Sequence, residues 1–247
     1  MQTSEKQGLI TVSRWHVIMD LERFDGGTSP FITLDACNGA RADTVLMALE
    51  ANSKGDPEQW TLLIKSDESL RNRFLEQGIK NPEQRANIPW DDASVLFTSA
   101  IELSKEGAPL QVADLLLREK IGRFPWGDGS PLSYMHEFIR PNSNRQGQKG
   151  TDGYEKIVHL LEILSQRCGP AHLGHERYQN GQGGLDIRGF LDQEQVKELR
   201  LALSGRSWSV TAEEAIDGGM RDVSRNLIAI LRGAERRNVG ILLRSHS

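Results

Sequence analysis

The stretch MRDVSRNLIAILRGAERRNVGILL, residues 220–243, decides the fold. Across residues 220–237, Val223, Leu227, Ile230, Leu231 and Ala234 recur at helical spacing, and Arg221, Arg225, Arg232 and Arg236 fall on the opposite side. One face of this helix is built for a core and the other for water or a partner. Gly240 then breaks the pattern, and Ile241, Leu242 and Leu243 follow as an unbroken apolar run. Such a run reads as a buried terminal strand, and a strand needs others to pair with. The prediction is an α+β fold, mainly helical, with a small sheet formed by N-terminal and C-terminal strands.

Working outward, Asp192 followed by Gln195 is a capping-box pattern, with Leu191 and Val196 placed as its hydrophobic staple. A helix is expected from there to about Ser204. Thr211 and Glu214 make a second such pattern. Residues 154–168 carry Tyr154, Ile157, Val158, Leu161, Leu164 and Cys168 in one apolar stripe and predict a helix ended by Gly169-Pro170. Toward the N-terminus, residues 9–19 and 31–34 read as strands of a hairpin turned at Asp25-Gly26-Gly27. Residues 40–51 read as a helix and 60–64 as a short strand. Ser66 caps a helix through Gln77 that Gly78 stops. Residues 91–105 and 109–120 read as helices, with Pro109 at the start of the second. Residues 122–153 hold three prolines and six glycines. They are expected to be a linker or mobile loop between a region 1–121 and a mainly helical region 154–247, or a loop on one single domain.

The chain has 247 residues, 38% of them hydrophobic and 26% charged, with a net charge of −4. It is long enough to bury a core without staples. The charge argues against a general nucleic-acid binder, which is strongly basic as a rule. The two cysteines, Cys37 and Cys168, could form one disulfide in a secreted chain but nothing demands it, and Cys168, ending a run of helical period, suits a buried thiol in a reducing compartment. Residues 1–7 are polar, without the apolar core of a signal peptide, and no run is long enough for a membrane span. A cytoplasmic protein away from membranes is expected.

Several residues carry possible chemistry. His172, His175 and Glu176 can serve as zinc ligands, but their order differs from the helical zinc motif with histidines four apart. Cys168 and His159 lie nine residues apart on one predicted helix, too far to meet as nucleophile and base. The glycine clusters at 127–129, 181–184 and 218–219 lack both the lysine of a phosphate loop and the dinucleotide fingerprint. No cofactor is predicted. Trp126, beside Pro125 in a polar loop, is either a plug for the domain edge or an exposed anchor for a partner. The four arginines at 221, 225, 232 and 236 either face an acidic partner or a phosphate backbone, or form a solvated face paired with Asp222 and Glu235.

Three segments, 154–169, 189–199 and 227–243, taken in order, resemble uncharacterised bacterial YfbM-like proteins and immunity-type proteins. The resemblance implies a compact α+β domain without an established enzymatic activity, in a style that includes protection against delivered toxins. It carries over no site residues. The expected function is therefore a bacterial cytoplasmic protein-interaction module, most concretely an immunity-type inhibitor of a toxin or effector. A metal-assisted hydrolase using His172, His175 and Glu176 is the alternative.

Overall fold

The computed structural model of the chain describes residues 30–104, 107–142 and 148–246. Its centre is a three-stranded antiparallel sheet: β1 (Phe31–Cys37), β5 (Gly240–His246) and β3 (Asp186–Leu191), in the order β1-β5-β3. The C-terminal strand is thus the middle one. It pairs with β1 from Phe31↔His246 to Cys37↔Gly240 and with β3 from Asp186↔Ser245 to Leu191↔Ile241. This is the α+β fold with a small sheet of N- and C-terminal strands. The reading of residues 9–19 as a strand lies outside the described residues.

The sheet separates two apolar clusters. On one face, Ile32, Leu34, Ala36, Leu191, Ile241 and Leu243 are buried. Helices α6 (Pro131–Phe138), α7 (Gln148–Gln166), α9 (Gln193–Ser204) and α10 (Gly219–Arg237) pack there. On the other face, Cys37, Ile187, Phe190 and Leu242 meet α1 (Gly39–Ser53), α2 (Glu58–Ser66), α3 (Glu68–Glu76) and α4 (Asp92–Ala100). A middle strand covered on both faces has no polar side, which is why residues 241–243 show no alternation. A bulge between Ile187 and Gly189 puts Ile187 and Phe190 on one face. Gly189 lies directly under α7, where a Cβ would stand 2.2 Å from the Ile163 carbonyl oxygen.

Several predicted elements differ. Residues 60–64 form part of a helix, not a strand, because Trp60 and Ile64, four apart, are the fully buried pair while Leu62 is 59% exposed. Asp67, one residue past Ser66, caps α3 by accepting from Leu70 N at 2.9 Å. Helix α4 ends at Ala100, where the chain turns extended, and Ile101 bridges Cys37, Leu103 bridges Pro109 and Gln111 bridges Asp35. Pro109 therefore sits in an extended turn, and α5 (Leu115–Gly122) starts later. The stretch read as a linker contributes α6, whose Leu132, Tyr134 and Met135 are fully buried, and the strand β2 (Ile139–Pro141), paired with β4 (Trp208–Val210). Between α7 and β3 lies α8 (Pro170–Leu173), a single turn. The Asp192–Gln195 capping box is present at α9. Residues 211–214 do not open a helix; instead Glu214 caps one that begins at Gly219, accepting from Met220 N at 2.5 Å.

Candidate functional site

Helix α10 carries the charged face. Its inner side, Val223, Leu227, Ile230, Leu231 and Ala234, is packed in the first cluster, which fixes the helix against the sheet. Arg221, Arg225, Arg232 and Arg236 are all exposed on the outer side. Asp222 takes Arg225 at 2.9 Å. Glu235 is engaged chiefly from outside the stripe, although the charge of Arg232 also acts on it. Arg200 of α9 holds it with two bonds, Nε to Oε2 at 2.5 Å and Nη2 to Oε1 at 3.1 Å. The hydrogen bond from Arg200 holds the Glu235 carboxyl below its ordinary value. Among the described residues, Arg221, Arg232 and Arg236 form no ion pair with a carboxylate. The stripe is thus a set of forked donors with little internal compensation, the chemistry that binds carboxylate or phosphate in two-point geometry.

Beside the first turns of α10, a cleft of about 380 Å³ opens between the α5–α6 connection and the helix. Lys120, Arg123 and Arg225 line it together with Asp217 and Asp222 and with apolar residues that include Phe124, Pro131 and Val223. Residues near 120 and near 220 are about a hundred positions apart in the chain, so no local pattern announced their meeting.

Trp126 is a plug. Its ring stands edge-on to Tyr134 at 5.6 Å and to Phe138 at 5.4 Å, and its Nε1 donates to Glu137 at 3.3 Å. It backs the wall that Phe124 presents to the cleft, Phe124 lying 4.7 Å from Tyr134.

His172, His175 and Glu176 are not drawn together. His172 and Glu176 are exposed, and half-buried His175 turns to Glu50 of α1, with Nε2 3.0 Å from Oε2. Tyr178 donates to the other oxygen of Glu50 at 2.8 Å, and Arg177 stands 3.4 Å from the first. Burial pushes the Glu50 carboxyl up, but the bonds from His175 and Tyr178 and the charge of Arg177 outweigh it, and the group sits below its ordinary range. This cluster pins the 169–185 segment to α1. Among the described residues, no group of three side chains is placed to hold a metal ion. His159 is exposed on α7, while Cys168 is fully buried and that burial pushes its thiol up to about 12, which favours the protonated form. The glycine clusters are turns: Gly127 and Gly129 have φ of 51° and 76°, Gly183 and Gly184 of 71° and 77°, and Gly218 of 73°.

Fold and surface together define an α+β protein with a rigid helix presenting an arginine face. No helix of the described residues is long and apolar enough to cross a membrane. Comparison with protein-family models, with curated proteins and with solved structures finds no match to this chain.

Proposed function

We propose that the chain is a protein-interaction module that receives an acidic partner on the arginine face of α10. Its most concrete form is an immunity-type inhibitor that covers a toxin or effector in the bacterial cytoplasm. The supporting observation is that Arg221, Arg232 and Arg236 are exposed on a helix whose opposite face is locked in the core, while Glu235, the acid that would quench them, is held by Arg200. Rim charges of this kind steer association and set partner choice. No arrangement of His172, His175 and Glu176 favours the metal-assisted alternative.

The test is a pull-down from host lysate at low and moderate salt, with wild type and an Arg221→Glu/Arg232→Glu/Arg236→Glu variant. The expected result is one near-stoichiometric protein that the variant fails to retain, with weaker capture at higher salt. All three side chains are exposed, so the variant should melt with the wild type. Capture of the same proteins by both would remove the arginine face from the function.

A further inference from the structure

The arginines of α10 have a spacing that selects a shape as well as a charge. Arg232 follows Arg221 by eleven residues, and Arg236 follows Arg232 by four. At about 3.6 residues per turn, eleven residues make about three turns, so the three lie in one row on one side of the helix. A rise of about 1.5 Å per residue puts Arg232 and Arg236 roughly 16 and 22 Å along the row from Arg221. Arg225 lies in the same row, but Asp222 holds it at 2.9 Å, so it is not counted among the open forks. Glu235 stands beside the row, where the charge of Arg232 reaches it, and Arg200 bonds both of its oxygens. With Asp222 set against Arg225 and Glu235 against Arg200, the row keeps a positive excess. Its middle carries no charge: Ile228 is half-buried against the first cluster and Ala229 is exposed.

An acidic strand does not match this row. Its residues rise about 3.4 Å each and alternate faces, so sites roughly 16 and 22 Å away fall about five and seven residues along it. Odd offsets point to the opposite face. An acidic helix matches because it has the same rise and period as α10. Carboxylates eleven and fifteen residues after the first share one side of it. A second copy of α10 fails for another reason. The row reads the same from either end, with Arg221 and Arg225 mirrored by Arg236 and Arg232. Two such helices laid face to face in register set arginine against arginine, whichever way the chains run.

We propose that the α10 face takes an acidic helix of the partner, laid lengthwise, with carboxylates at i, i+11 and i+15 or, in the opposite chain direction, at i, i+4 and i+15. The inference rests on the reading of α10 as a docking face given above and adds the partner's secondary structure and spacing. Each open arginine then meets one carboxylate in charge-assisted bonds.

The probe is a fluorescein-labelled, alanine-rich peptide of about twenty residues, long enough to form helix in water. Its glutamates stand at i, i+4, i+11 and i+15, a pattern that reads the same from both ends and so serves either chain direction. In the control peptide the second pair moves to i+9 and i+13, which turns it to the opposite side of the helix at equal charge and composition. Both are titrated against the full chain by fluorescence anisotropy at low salt. The in-register peptide should bind at least about fivefold tighter, since the control can engage only one of its pairs at a time. Arg232→Gln/Arg236→Gln should bring it down to the level of the control while melting with the wild type. Equal binding of the two peptides, or no binding of either, would overturn the helical occupant. If they bind equally and Arg221→Glu/Arg232→Glu/Arg236→Glu releases both, the acidic docking face stands and the helix falls. If neither binds, and that triple variant still captures every host protein the wild type does, both readings fall. A short thymidine oligonucleotide that binds more tightly than the in-register peptide would assign the row to nucleic acid and overturn both as well.

Discussion

Asp35 and Arg244 sit on neighbouring strands in a place few charges occupy. The Arg244 side chain is 5% exposed and that of Asp35 11%, and Nε donates to Oδ2 at 2.7 Å. Thr33 adds a bond to the same oxygen at 3.3 Å, and the guanidinium lies 4.6 Å from the centre of the Phe97 ring. Removing one member of a buried pair costs far more than the pair contributes, because the other charge stays desolvated. Asp35→Ala should therefore lower unfolding stability by about 3–5 kcal/mol in a urea titration. Asp35→Asn, which keeps a bonding oxygen, should lose less. A loss under about 1 kcal/mol for Asp35→Ala would mean that Arg244 stays compensated without Asp35, by water or by another group.

Among the elements, α10 shows how a helix can be capped from a distance. Gly218 supplies the left-handed turn into the helix but has no side chain to bond the first amides. Glu214 does that work, bonding Met220 N and the Tyr134 hydroxyl. Glu214→Ala should cost about 1–2 kcal/mol of thermal stability, since it removes the cap and strands the amide. Glu214→Gln should recover most of it. Equal melting of wild type and Glu214→Ala would show that another group caps the helix. The same residue marks the limit of what the sequence makes legible. The Thr211–Glu214 spacing pointed to a cap, but the helix it serves begins only at Gly219, after the backbone has looped. The Asp192–Gln195 box, the apolar stripe of α7 and both faces of α10 were readable because each is set by neighbours within a few positions. Trp60 to Ile64 was not, since a mostly apolar run of five residues fits either period, and only packing of Trp60 against Phe74 at 5.9 Å decides it. The 131–139 segment reads as part of a linker or loop because of the glycines and prolines around it, yet Tyr134 and Phe138 fill the first core. The cleft and the capture of Glu235 by Arg200 depend on side chains that meet only after folding.

At the scale of the whole molecule, the last strand is the middle of the sheet, so the two ends of the described chain close on each other. His246 stacks on Phe31 with ring centres 4.3 Å apart and planes 5° from parallel, and its Nε2 lies 3.1 Å from the Thr33 hydroxyl. Burial, and then the nearby charge of Arg244, lower its pKa from 6.5 to about 4, although Asp35 pulls the other way. Arg118 adds a further lowering charge. In the unfolded chain this imidazole takes up a proton near 6.5; in the folded chain it resists until about 4. Between those values the unfolded state binds more protons, so stability rises with pH across that window and falls as acid is added. The contribution is full above about 6.5 and is lost progressively down to about 4. A shift of that size corresponds to a few kcal/mol at most, at roughly 1.4 kcal/mol per pKa unit. Urea titrations at pH 7 and pH 4.5 should show the wild type losing more stability than His246→Gln, which cannot titrate. The difference should shrink to nothing when both are compared above pH 7. Equal acid sensitivity of the two proteins would mean that His246 is protonated in the folded state at ordinary values, and that the contact between the first and last strands is open to water.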